Sequence, residues 1–152
     1  VAVVRVGAPT EIEMIEKKHR IEDALEAVRS AQQDGVVSGG GLTLYRISKS
    51  VMSDIEKLDL SRDQSFAADI FLDVLQSPIA TMAQNAGFDY DKVNQLIEEE
   101  ENHIGFNFLT GDVVDMYESG IIDPAKVTKN ALRNAVSAAG TLLTTNFAII
   151  ED

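Results

Sequence analysis

TEIEMIEKKHRIEDALEAVRSAQQDGVVSGGG, residues 10–41, is the stretch from which the rest of the chain can be organised. Thr10 followed by Glu13 is a capping-box pattern, in which each side chain satisfies a backbone N–H that the first helical turn leaves free. The spacing predicts a long helix over residues 11–34, closed by Gly35. Its apolar stripe is Met14, Ile21, Leu25 and Val28, with Ala24 and Ala31 beside it. Glu16, His19, Arg20, Asp23 and Glu26 occupy the opposite face, which is polar along its length, so the helix packs on one side only. Such a helix buries little of itself and is expected to bridge two parts of a larger molecule. Beyond Gly35, Val36 and Val37 lead into Ser38-Gly39-Gly40-Gly41, where a second helix is expected to start.

Working outward, Val1–Val6 reads as a strand by its β-branched content, ended by Gly7-Ala8-Pro9. The second helix runs through Leu42, Leu44, Ile47, Val51 and Ile55, and a third covers about residues 61–76. Ser77-Pro78 then restarts a short helix ending at Gly87, because proline suits a first helical position. A further helix is expected over residues 91–100. The helical period is lost at Gly105, and residues 105–116 read as a β-hairpin with Gly111-Asp112 at its turn. Asp123-Pro124 opens the last helix, with Asp123 as N-cap and Pro124 at its first position. That helix reaches about Thr145 and is apolar on most sides, the pattern of a central, buried element. Phe147–Ile150 reads as a final strand. A chain that begins and ends in strands, without polar linkers, is expected to be a piece of something larger.

Composition narrows the function classes. The chain has 152 residues, 45% hydrophobic but only 6% aromatic, so its core is aliphatic and suited to close helix packing. A net charge of −12 repels nucleic acid and anionic membrane surfaces, which leaves neither as an expected partner. There is no cysteine, and His19 and His103 stand outside any HExxH pattern, so no metal site is expected from the chain's own ligands. No apolar run approaches the ~18–20 residues that span a bilayer, and the first residues lack a signal-peptide pattern. A cytoplasmic setting is the expectation.

Three places can carry chemistry. Gly40, within the triple glycine at a helix start, lets a phosphate-bearing ligand approach the backbone near free N–H donors, although three glycines also serve a tight turn or close packing. Asp23, on the polar face of the long helix, can position a water over a bound phosphate, or can be half of a surface ion pair with Arg20. Asp123 can contact a ribose, or can simply cap a helix.

Taken together, Glu13-Met14, Glu16-Lys17-Lys18 and Arg20-Ile21-Glu22-Asp23-Ala24-Leu25, then Gly35-Val36-Val37-Ser38-Gly39-Gly40-Gly41, Gly105-Phe106-Asn107 and Gly120 to Thr128, resemble the group I, GroEL-type chaperonins. The resemblance covers essentially the whole chain, most specifically at its two ends. It implies a mainly α fold: the helical bundle of the chaperonin equatorial domain, with a long intermediate-domain helix, a small β-hairpin and short terminal strands. Residues 1–35 would be the returning intermediate-domain segment, and residues 36–152 the C-terminal half of the ATP-binding equatorial domain. The parent subunit would hydrolyse ATP with Mg²⁺ to assist protein folding. Its partners would be like subunits in a ring, and, through other domains, unfolded client proteins and a co-chaperonin. Asp23 would be the hydrolytic carboxylate. Gly40 would lie against the nucleotide, Asn107, Phe108 and Leu109 beside the adenine, and Asp123 near the ribose. The chain departs from the family in Phe108 and Leu109, which stand where small residues are usual and would narrow the base pocket. The family's Gly-Asp-Gly-Thr-Thr phosphate loop is not in this sequence, so the chain by itself is expected to be inactive. The alternative is a free-standing helical interaction module of chaperonin ancestry without ATPase activity.

Overall fold

A computed structural model describes residues 2–149. The element order is α1 (Glu11–Asp34), β1 (Val36–Ser38), α2 (Leu42–Ile55), α3 (Arg62–Asn85), α4 (Tyr90–Ile97), β2 (Ile104–Asn107), β3 (Asp112–Asp115), β4 (Ile122–Pro124) and α5 (Ala125–Leu143). These elements form two compact units. One comprises the residues up to Val36 together with those from Pro124 onward; the other is Val37–Asp123.

In the first unit, α1 starts on the expected capping box, with Thr10 Oγ1 accepting from Glu13 N–H and the Glu13 carboxylate accepting from Thr10 N–H. It stops at Gly35, whose φ of 80° lets its N–H turn back to the Ala31 carbonyl. The stripe is less covered than its spacing suggests. No residue of α1 is buried; Ile21, Ala27 and Ala31 are half-buried, while Leu25 and Val28 are exposed. The element packed on α1 is α5, tied to its end by Lys126 Nζ donating to Gln33 Oε1 and by Lys129 beside Asp34. The reading of α5 as a central helix is therefore corrected. Only Ala125 is buried, and Leu143 is 87% exposed, because one neighbouring helix covers one side of a helix that is apolar on several.

The second unit holds the core. Leu42 and Tyr45 of α2, Ile79 and Ala83 of α3, Val93 and Ile97 of α4, Phe106 of β2, and Met116 pack as one cluster. Burying each larger apolar side chain contributes about 1.5–3 kcal/mol. Two half-buried hydroxyl contacts fix the arrangement: Tyr45 Oη donates to Asn94 Oδ1 at 2.6 Å, and Tyr90 Oη donates to Gln76 Oε1 at 2.8 Å. The hairpin forms as expected, with Asn107 opposite Asp112 in an antiparallel register and Gly111 at φ 82° in the turn. Strand β1 pairs with β4.

Two further expectations are corrected. Pro78 does not restart a helix; α3 runs through it. Proline removes the N–H that would reach the Val74 carbonyl, and Ser77 Oγ donates to that carbonyl instead, at 2.8 Å. The continuous α3 is thus long and apolar enough to cross a membrane by length and composition, though it carries Asp69 and Asp73 in its middle. Its Leu72, Leu75, Ile79 and Ala83 are buried within this protein. The terminal strands are absent among the described residues: 2–6 and 147–149 adopt no strand, since a strand requires a hydrogen-bonding neighbour and none lies alongside. Val1 and Ile150 lie outside the described residues.

Candidate functional site

The triple glycine is built for close approach. Gly40 and Gly41 take φ of 63° and 76°, a region that side-chain-bearing residues rarely adopt. A Cβ on Gly39 would sit 3.2 Å from the backbone of Ile121, and one on Gly41 would sit 2.8 Å from Ile79 N. Gly39 N–H donates to the Ile121 carbonyl at 2.9 Å. The packing reading of the three glycines is therefore correct, and it leaves room for the other. Gly41 is the N-cap of α2 and supplies no side-chain cap; in the first turn Leu42 N–H donates to the Gly39 carbonyl at 3.1 Å.

Gly40 faces Met116, whose Cε would be 3.2 Å from a Cβ there. Met116 also meets Gly105, at the base of the strand that ends in Asn107. Two residues past Ile121, β4 carries Asp123 beside β1. The second unit thus gathers the glycine turn, the Asn107 hairpin and the Asp123 strand around Met116 and Ile121, neither of which was singled out from sequence. Met116 ends the expected hairpin and Ile121 lies in the Gly120 to Thr128 motif, but nothing in the sequence marks either as the meeting point of these segments.

At the hairpin tip, Asn107 Oδ1 accepts from Leu109 N–H and the Asn107 carbonyl accepts from Gly111 N–H, which fixes the turn. Phe108 directs its ring to Phe106 and Phe88, at centroid distances of 5.2 and 6.3 Å, and so packs on the core. Leu109 is 93% exposed.

Asp123 is not the N-cap of α5. Pro124 holds that position, without a side-chain cap, because the pairing with β1 keeps the backbone extended through Pro124. Burial pushes the Asp123 carboxyl above its ordinary value of 3.8, although solvent still reaches the side chain, and no cation among the described residues pairs with it. A carboxyl raised on folding opposes folding when ionised; the cost is full above the folded value and vanishes as pH falls below the unfolded one. Asp123→Asn is therefore expected to raise the neutral-pH melting temperature by roughly 1–2 °C, discounted for exposure. The two melting curves should converge as pH drops through 3.8. Thermal melts of both proteins at pH 7 and pH 3 check this, and a variant less stable than the parent at pH 7 would give Asp123 a favourable ionised role.

Asp23 belongs to the first unit, exposed on α1. Its expected partner Arg20 pairs with Glu16, Lys18 pairs with Glu22, and Arg29 with Glu26. Among the described residues no cation holds the Asp23 carboxylate. No group of three or more His, Asp and Glu among those residues is placed to hold a metal ion.

Residues 1–152 match the model of the TCP-1/cpn60 chaperonin family. The chain belongs to that family. Its structure is similar to that of a group III chaperonin solved in the open state, with a TM-score of 0.81 and 31% identity over 95% of this chain. It is also similar to the open-state monomer of a group II chaperonin from Methanococcoides burtonii, with a TM-score of 0.72 and 30% identity over 90% of this chain. The chain spans 30% and 35% of the lengths of these two chains. The mainly helical equatorial-domain fold is the one expected. The narrower expectation of a group I chaperonin is not supported, since these neighbours are of groups II and III.

Proposed function

We propose that the chain serves as the C-terminal part of an ATP-dependent chaperonin subunit that assists protein folding in a cytoplasmic ring of like subunits. The observation that carries this reading is the Gly39–Gly41 turn. Its left-handed glycines, uncapped helix start and close packing on the segment leading to Asp123 fit one side of a nucleotide. ATP with its Mg²⁺ supplies the phosphoryl group and the metal charge that make hydrolysis possible. This chain's own residues bind and orient. The first-turn N–H groups of α2 would donate to phosphate oxygens, the Asn107 turn would border the base, and Asp123 would accept from the ribose hydroxyls. Asp23 would hold the attacking water in the assembled subunit.

The 152-residue protein alone is expected to release no phosphate from ATP above buffer. Phosphoryl transfer needs a complete cradle and its metal ligands, and the family's Gly-Asp-Gly-Thr-Thr loop is not in this sequence. Steady, magnesium-dependent phosphate release by the purified chain would sink the proposal, whereas release only when it is joined to the remaining chaperonin segments supports it. A free-standing interaction module is the second reading, favoured by the exposed Leu25, Val28, Leu142 and Leu143. It predicts a stable complex and no ATP turnover even in the joined protein.

A further inference from the structure

Met116 is wholly buried, and its side chain runs between two glycines that belong to different parts of the candidate site. A Cβ on Gly105 would lie 3.1 Å from Met116 Cγ and 2.9 Å from its Sδ, and one on Gly40 would lie 3.2 Å from its Cε. The middle of the thioether thus rests on β2, two residues before Asn107, and its methyl tip rests on the glycine turn. Leu42 Cδ2, 2.7 Å from the same Gly105 Cβ, brings the first residue of α2 onto the strand beside it.

The Met116 backbone continues the link. Its N–H donates to the His103 carbonyl at 3.0 Å, just before β2, and its carbonyl accepts from Ile121 N–H at 2.8 Å. The Ile121 carbonyl in turn accepts from Gly39 N–H at 2.9 Å, and β4 with Asp123 follows at once. Met116 is buried away from any ligand, so it acts on the site only through the spacing it imposes. The reach of the side chain sets that spacing: methionine is unbranched and extends one atom beyond leucine. Met116→Leu nearly conserves volume, the kind of swap that cores tolerate best, yet it stops one atom short of Gly40.

We infer that Met116 is a positioning residue whose side chain sets the separation between the glycine turn and the Asn107 hairpin, so that one nucleotide engages both at once. The inference rests on the nucleotide reading proposed above, with phosphate at the turn and the base at the hairpin. Two contacts on one ligand reinforce each other only when their separation matches it, and a misplacement of about 1 Å forfeits much of that gain. Shortening Met116 therefore weakens a ligand that spans both segments and spares a ligand that touches only one.

Affinities of the complete chaperonin subunit for ATP, adenosine and tripolyphosphate, each with magnesium, read this linkage by calorimetry. Met116→Leu is expected to raise the ATP Kd by about tenfold and to leave adenosine and tripolyphosphate within about twofold of the parent. Its melting temperature should fall by no more than about 5 °C. Met116→Ile, which also stops short of Gly40, is the second variant should Met116→Leu fail to fold. Ile97→Val is the control: Ile97 is buried in the same cluster, but none of its atoms lies within 4 Å of a Cβ on Gly40, and ATP affinity should hold. An unmoved ATP Kd in the shortened variants, equal losses for all three ligands, or an equal loss in Ile97→Val overturns the inference. In each of these cases the parent still binds ATP and the nucleotide reading stands. A parent subunit that binds no ATP overturns that reading, and this inference with it.

Discussion

Gly41→Ala is expected to destabilise the second unit by about 2–5 kcal/mol, lowering the melting temperature by on the order of 10 °C. Two costs add. A side chain at φ 76° carries left-handed strain of about 1–2 kcal/mol. The new Cβ would also lie 2.8 Å from Ile79 N and 3.0 Å from Ile79 Cα, and these are helix backbone atoms at a buried residue, which cannot turn aside as a side-chain tip can. Restoring normal contact pushes α2 away from α3 and loosens Leu42, Tyr45 and Ile79 at the centre of the core, which costs roughly a further 1–3 kcal/mol. Gly87→Ala is the control. Its φ of 80° carries the same strain, but nothing lies within 4 Å of its Cβ, so only the first cost applies. Urea unfolding of both variants compares the two midpoints. Equal losses would mean that left-handed strain alone, and not the approach of α2 to α3, requires glycine at residue 41.

The elements legible in the sequence are those whose determinants are local. The capping box of α1, its glycine stop, the Ser38–Gly41 turn and the residue 105–116 hairpin each depend on side chains within a few residues of one another. The errors have equally specific causes. Pro78 reads as a helix start because the rule counts its lost N–H; it does not count a serine hydroxyl one residue earlier that replaces the donor. Asp123-Pro124 reads as a cap and first position, but the pairing of β4 with β1 keeps the backbone extended one residue further. The apolar circumference of α5 is real, yet burial depends on what lies alongside, and within its unit that is α1. In the candidate site the glycines were visible by type. Met116 and Ile121 were not, because each acts on segments tens of residues away through backbone and packing contacts that leave no spacing pattern.

Asp23→Ala, made in the complete chaperonin subunit, is expected to slow ATP hydrolysis by roughly 10²-fold or more while leaving nucleotide affinity nearly unchanged. The competing account of Asp23 as half of a surface ion pair required Arg20 as its partner. Arg20 is instead engaged by Glu16 one turn earlier, and the neighbouring cations Lys18 and Arg29 are taken by Glu22 and Glu26. Asp23 is thus left without a cation on a face where Glu16 and Glu26 are both paired. Helix stability gives little reason to keep it: an exposed pair at this spacing contributes only about 0.2–0.5 kcal/mol, and Asp23 does not make one. A free carboxylate can accept a proton from, or align, a water molecule in the hydrolytic step, and its loss is felt in the transition state more than in binding. Asp23→Asn sharpens the test, because the amide keeps the shape and a hydrogen-bond acceptor but not the charge. Turnover and nucleotide affinity measured on both variants separate the roles. A fall in turnover shared by both, with affinity held, assigns the charge to hydrolysis. Turnover unaltered in Asp23→Ala would remove Asp23 from the mechanism and leave it an ordinary solvated side chain of α1.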